Sequence, residues 1–237
     1  MRHVARPRSP DFLSRLLDAA LDVFGERGLK AARIADIADR MGAAHGTVYN
    51  YVDSKDALFW LLVDRGLKPE SLGLPDQLPV KAPPQDQVLA RLAQQIAVGF
   101  ALPELSAAVA RKRVSNARAE LTRVIQELYD RTAETRRFAS AFERSALDLP
   151  ELYQLFFARV RRVLFDQVEQ YVALRTQRGH FRVRTSAEVA ARHLVETITF
   201  FARHRFRDPD PMRADDDAVR SQVTELLVQA FIPEESS

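Results

Sequence analysis

Apolar residues recur along most of this chain every three to four positions, not every second one, which predicts helices throughout and no sheet. Residues 12–24 set Phe12, Leu13, Leu16, Leu17, Ala20, Leu21 and Phe24 on one stripe. Ser9-Pro10-Asp11 ahead of it supplies an N-cap, a proline at the first helical position and an acid in the first turn. Gly28 beyond it suits a left-handed C-terminal cap. Ile34, Ile37, Ala38 and Met41 predict a second, short amphipathic helix that Gly42 interrupts. A third is expected over about residues 44–51, and Ser54 caps a fourth that carries Leu58, Leu61 and Leu62 on its apolar face.

The pattern lapses at 68–84, where Pro69, Pro75, Pro79, Pro83, Pro84 and Gly73 mark a linker or irregular loop. Helical spacing returns at about 86–99, 103–137, 138–147, 151–178, 187–205 and 216–231. Pro150 opens one of these helices and Gly179 closes it, while Arg207-Asp208-Pro209-Asp210-Pro211 separates the last two. The expected organisation is all-α. A helix-turn-helix domain covers 1–67, a proline-rich linker 68–85, and a helical ligand-binding and dimerisation domain 86–233.

Composition narrows the possibilities. With 46% hydrophobic and 28% charged residues the chain can bury a sizeable core. Cysteine is absent, which excludes disulfides and thiolate metal sites. The basic start of the chain is not followed by an apolar signal region, and no apolar stretch approaches the ~20 residues that cross a bilayer. A soluble, cytoplasmic protein without membrane association is expected. The net charge of +3 is compatible with nucleic acid. Residues 1–67, however, carry ten Lys/Arg against nine Asp/Glu, so a case for DNA must rest on where the charges sit.

Two short helices separated by a glycine turn, Ile34–Met41 and then Ala44–Tyr51, have the proportions of a helix-turn-helix. In that motif the first helix braces across the backbone and the second lies in the major groove. The second offers Ala44, His45, Gly46, Thr47, Tyr49 and Asn50, with Val48 turned inward. Gly46 removes a side chain where backbone approaches DNA, and Thr47, Tyr49 and Asn50 bring hydroxyl and amide groups to phosphates or base edges. Lys55 adds a point charge at a helix N-terminus that already favours phosphate. His45 reads equally as a base or phosphate contact and as a solvated side chain. Arg2, Arg6 and Arg8 read as an arm toward phosphates or as a basic tail.

The segment resembles the TetR/AcrR family of transcriptional regulators. The resemblance is carried by Leu17-Asp18-Ala19-Ala20-Leu21-Asp22-Val23-Phe24, Glu26-Arg27-Gly28, Ile34-Ala35-Asp36-Ile37-Ala38, Gly46-Thr47-Val48-Tyr49 and Ser54-Lys55-Asp56-Ala57-Leu58. It covers roughly residues 12–65. It implies DNA contacts from the positions of Thr47, Tyr49 and Lys55, and often from those of Arg33, His45 and Asn50; Ala44 and Tyr51 complete the candidate surface. Ala32 and Ala44 stand where the family commonly has a hydroxyl N-cap, and Val52 where an aromatic is usual.

In the C-terminal region, 189–202 and 218–231 are apolar on more than one face, as for helices packed on their own core and on a second subunit. Leu194, Ile198, Phe201, Val223, Leu226 and Leu227 are the candidate interface of a two-fold homodimer, an arrangement that the resemblance also implies and that suits a pseudo-palindromic operator. The family encloses a small-molecule pocket between its helices. Phe138, Phe142, Tyr153, Phe157, His193 and Thr197 are the candidate lining for a small hydrophobic or aromatic ligand, against the reading that most of the aromatics are core. The runs Arg111-Lys112-Arg113 and Arg159, Arg161, Arg162 look like a second nucleic-acid patch, although solvated helix faces explain such runs more often.

No phosphate loop, dinucleotide fingerprint, HExxH or thiol nucleophile is present, and the five histidines lack metal-ligand spacing. No enzyme, cofactor or metal is expected. The function expected is a DNA-binding regulator, a repressor released by a small molecule. The alternative is control by a protein partner, or constitutive binding. An enclosed cavity within 103–205 would favour the first and a filled core the second.

Overall fold

The computed structural model describes residues 8–65 and 73–232. In these the chain is all-helical: α1 (Pro10–Ala31), α2 (Ile34–Met41), α3 (His45–Val48), α4 (Lys55–Arg65), α5 (Gln85–Gly99), α6 (Pro103–Ala110), α7 (Ala117–Ala146), α8 (Pro150–Tyr153), a π-helical stretch (Gln154–Arg161), α9 (Arg162–Gln177), α10 (Ala187–Ala202), a 3-10 turn (His204–Arg207) and α11 (Asp216–Phe231). No single helix among the described residues is long and apolar enough to cross a membrane.

Several local signals act as expected. Gly42, at φ 62°, closes α2 with its N–H on the Ala38 and Asp39 carbonyls, whereas Gly28, at φ 76° and ψ 163°, kinks α1 within its span and does not cap it. The Ser54 hydroxyl accepts the Ala57 N–H and caps α4. Gly179, at φ 74°, follows α9. The region around 103–147 differs from expectation. In place of helices over 103–137 and 138–147 there is a short α6, a break at 111–116, and the single thirty-residue α7. The break contains neither glycine nor proline. It is set by Asn116, whose side-chain oxygen accepts the Ala119 N–H and starts α7.

The chain packs into two compact units. One comprises residues up to Gly99 together with Arg137–Ala158, the other Phe100–Arg136 with Arg159 onward. Packing therefore does not follow the linear division at the proline-rich segment, since α5 and the end of α7 cluster with the N-terminal helices. The described part of that segment, 73–84, is irregular but anchored. Val80 donates its N–H to the Tyr51 carbonyl and accepts from the Asp53 N–H, a short parallel bridge.

In the first unit Leu13, Leu16, Leu17 and Phe24 of α1 meet Ile37, Val48, Leu58 and Leu62, all buried. The end of α7 completes this core. Phe142 packs between Phe59 and Phe138, at 4.8 and 4.2 Å between ring centroids, and the buried Ser145 hydroxyl accepts the Leu29 N–H. Gly28 leaves room for the Arg144 carbonyl, which a Cβ there would meet at 3.2 Å. On the surface Arg137 donates to Asp18 and Asp22.

The second unit is built on α7, α9, α10 and α11, with Leu121, Ile125, Val168, Val172, Leu194, Ile198, Val223 and Leu227 in one cluster. Inside it sits an ion pair. Arg175 is fully buried, donates from Nε to Glu120 at 2.7 Å and from Nη2 to the Ala108 carbonyl at 2.5 Å, and so ties α9 to α7 and α6. Arg111 also pairs with Glu120. Burial pushes the Glu120 carboxyl up, but hydrogen bonds and charge from Arg175 and Arg111 outweigh it and hold the group below the ordinary glutamate value.

Removing one partner of a buried pair strands the other's charge, at about 3–5 kcal/mol. Glu120→Gln is therefore expected to lower unfolding free energy in urea by about that amount, and pairing it with Arg175→Met should recover much of the loss. A carboxyl whose pKa falls on folding stabilises the fold above its unfolded pKa and loses that stabilisation as pH drops through the folded value. The gap between wild type and Glu120→Gln should accordingly be full at neutral pH and close on acidification below the usual glutamate range.

Candidate nucleic-acid interface

The helix-turn-helix is held by short-range devices that leave one face clear. At the start of α2 the expected hydroxyl cap is missing, Ala32 being buried, and Arg33 occupies the capping position. The Asp36 carboxylate compensates by accepting the Arg33 N–H at 3.0 Å, while its other oxygen pairs with Arg27 at 2.8 Å. No side chain caps α3, whose flanking residue is Ala44.

Over 44–50 the side chains divide by burial. Val48 is completely buried. Ala44, His45, Gly46, Tyr49 and Asn50 are exposed, and Thr47 is half-buried. Tyr49 leaves 50% of its surface open. A Cβ at Gly46 would meet nothing within 4 Å, so no packing within this chain explains the glycine. The neighbouring Arg33 is exposed as well, and His45 lies 3.3 Å from Asp39 in an exposed pair. Of the predicted arm, Arg8 is exposed and Arg2 and Arg6 lie outside the described residues.

Two predicted contact residues are placed otherwise. Tyr51 is only 3% exposed. Its ring stacks on Phe12 at 4.8 Å, and its hydroxyl accepts the Ser9 N–H at 2.7 Å. It is a core residue that joins the start of α1 to the turn after α3. Lys55 is half-buried, and its ammonium donates to the Lys30 and Ala32 carbonyls at 2.8 and 3.3 Å, where the dipole of α1 ends negative. The positive charge stays beside the α4 N-terminus, and two of its three donors are engaged within the chain.

The candidate pocket residues do not form one group. Phe138 and Phe142 are buried in the first unit, where Tyr153 and Phe157 pack on each other at 4.9 Å and Tyr153 is exposed. His193 and Thr197 belong to the second unit, with His193 exposed. Glu196 accepts from Arg161 and Arg192. Phe142 lines a recess together with Leu92, Ile96, Leu152, Leu155 and Phe156. Pattern reading missed Leu92, Ile96, Leu152 and Leu155 because single aliphatic residues on separate helices carry no local signal.

The candidate dimer residues also divide. Leu194, Ile198, Val223 and Leu227 are buried in their own unit, so they are core and not a free face. Phe201 is half-buried against that core and Leu226 is 65% exposed. The large apolar side chains that α10 and α11 leave open are Val189, Phe200 and Leu226. In the second predicted basic run Arg161 and Arg162 are paired with Glu196 and Asp166. Among the described residues no group of acidic or histidine side chains has the arrangement of a metal site.

Residues 16–60 match the family model described as "Bacterial regulatory proteins, tetR family". The transcriptional repressor KstR2 of Rhodococcus jostii strain RHA1 is 44% identical over 45 residues, which are 19% of this chain and 22% of that protein. The HTH-type regulator YvdT of Bacillus subtilis strain 168 is 48% identical over 44 residues, 19% of this chain and 23% of its own. Similarity to these curated relatives thus spans under a quarter of their length. At the level of fold, KstR2 of Mycobacterium tuberculosis aligns over 98% of this chain and 100% of its own, with a TM-score of 0.58 and 16% identity. A tetR-family regulatory protein from Rhodococcus RHA1 aligns over 94% and 98%, with a TM-score of 0.53 and 15% identity.

Because the Tyr51 hydroxyl faces inward, Tyr51→Phe should cost about 1–3 kcal/mol of stability through the unsatisfied Ser9 N–H. Tyr49→Phe, at an exposed site, should leave the unfolding free energy within about 0.5 kcal/mol of wild type. Parallel urea titrations followed by circular dichroism check both.

Proposed function

The chain belongs to the TetR/AcrR family of transcriptional regulators, a non-enzymatic family, and from that premise we propose that it binds duplex DNA as a homodimer and regulates transcription, as a repressor that a small apolar molecule releases. The observation that carries the DNA reading is the open surface of α3. His45, Tyr49 and Asn50 are exposed on either side of Gly46, a glycine with no neighbour of its own to accommodate. A recognition helix in the major groove needs polar side chains at base edges and a backbone able to come close. Arg33 and the Lys55 charge supply phosphate contacts, and Thr47, Tyr49 and Asn50 reach phosphates and bases.

A second copy is the occupant proposed for the apolar residues left open on α10 and α11. Val189, Phe200 and Leu226 sit on the helices that close the chain's own core, so an isologous contact there extends that core across a two-fold axis. Two recognition helices then read two half-sites about one helical turn apart.

For the ligand, the only support is the apolar lining of the recess beside Phe142, formed by Leu92, Ile96, Leu152, Leu155 and Phe156. Its free space is about 10 Å³, room for about one water molecule, whereas small-molecule sites run to about 300–1,000 Å³. That modest size favours a second reading, in which a protein partner or no effector controls the regulator.

Selection of bound fragments from random duplex DNA tests the central claim. A pseudo-palindrome with half-sites about 10 base pairs apart is expected, and failure to enrich any sequence at low salt would sink it. Tyr49→Ala should weaken binding to all sequences, while Thr47→Ala or Asn50→Ala should relax preference at single positions, at about 1–3 kcal/mol for each base-edge interaction removed. Leu226→Asp with Phe200→Asp should yield monomers in sedimentation and abolish half-site cooperativity. Leu155→Trp, which fills the recess, should leave operator affinity intact; loss of effector response favours the ligand reading, and unchanged regulation in cells favours the second.

A further inference from the structure

The basic run Arg111-Lys112-Arg113 is not a helix face. It lies in the break between α6 and α7, and the second unit fixes it against another basic segment. The Arg178 guanidinium donates to the Arg111 and Lys112 carbonyls, each at 3.0 Å, which binds the break to the turn after α9. From that turn the chain runs without helix through 181–184, with Phe181 buried and Val183 half-buried while Arg182 and Arg184 are exposed, the alternation of an extended strand.

Both segments lack acids. There is none between Glu104 and Glu120 and none between Glu169 and Glu188, whereas the two stretches carry eight Lys/Arg, more than the +3 net charge of the whole chain. The surrounding unit is otherwise well paired: Arg123 with Glu104, Arg131 with Glu134, Arg136 with Asp216, Arg162 with Asp166 and Arg220 with Asp130. Lys112, Arg113 and Arg184, by contrast, are exposed and make no ion pair among the described residues. Holding like charges together opposes folding unless counter-charge is supplied from outside. The acids that reach these stretches are already engaged: Glu120 is buried and paired with Arg175 and Arg111, and Glu225 is paired with Arg118.

We propose that this surface of the second unit is a separate, sequence-independent docking site for the phosphate backbone of duplex DNA. The cations are spread over an open surface, which suits an extended polyanion. A small anion held by exposed charges gains at most about 1 kcal/mol per pair, whereas a polyanion meets several cations at once and gains from counterion release. The site adds non-specific retention on DNA, and it stands independently of the helix-turn-helix reading.

The test uses full-length protein and a random-sequence duplex, with the logarithm of affinity plotted against the logarithm of salt concentration. In an Asn50→Asp background, which places a repelling charge on α3, residual salt-dependent binding is expected. Adding Lys112→Gln, Arg113→Gln and Arg184→Gln should make the slope shallower by about 2.7, since each phosphate neutralised by one cation accounts for about 0.9 of it. Arg113→Lys with Arg184→Lys keeps the charge and should keep the slope. Circular dichroism melting of the Gln variant should match or slightly exceed its parent, since these exposed side chains hold no ion pair that the fold uses and their loss relieves like-charge repulsion. An unchanged slope and affinity in the triple variant overturns the proposal. So does a loss confined to binding of phosphatidylglycerol vesicles, measured in parallel, which would identify a membrane surface. If random-DNA selection fails while the slope still falls, the helix-turn-helix reading fails and this one stands.

Discussion

Three short helices and a turn bury too little surface to hold themselves in place, and the first unit depends on an interaction that sequence order conceals: residues 137–146 of α7 lying along α1 and α4. Phe142 fills the space beside Phe59, Ser145 satisfies the buried Leu29 N–H, and Arg144 brings its carbonyl against Gly28. None of these groups belongs to the exposed surface of α3, yet together they fix the scaffold from which α2 and α3 project. The presentation of α3 is thus a property of the whole unit and not of the motif alone.

Much of this was legible in the sequence. The helix starts at Pro10 and Pro150, the positive-φ Gly42 and Gly179, and the Ser54 cap are all local events, governed by residues within one turn of the position concerned, whereas Gly28 is a kink inside α1. The same holds for the outward polar residues of α3, because the inward Val48 and the helical repeat together orient its neighbours. A missing hydroxyl at Ala32 was legible as a weakness, but its remedy by Asp36 required knowing that the cap falls on Arg33.

What the sequence concealed arises over long range. Tyr49 and Tyr51 are the same residue two positions apart, and only Phe12 and Ser9, some forty residues earlier, decide that one is covered and the other open. Helices apolar on several faces resembled an interface, yet a core of α7, α9, α10 and α11 consumes most of those faces, leaving Leu226 and few others outside. The break before α7 leaves no mark in the pattern because 111–115 contains no residue that forbids a helix; an asparagine cap and guanidinium bonds to carbonyls end the helix instead.

The bond between the Tyr51 phenol and Ser9 has a practical corollary. It pins Ser9, the residue just ahead of α1, to the turn directly after α3. A substitution that loosens Tyr51 would therefore be felt at both ends of this tether, at the entry to the longest helix of the first unit and in the turn that carries Asn50.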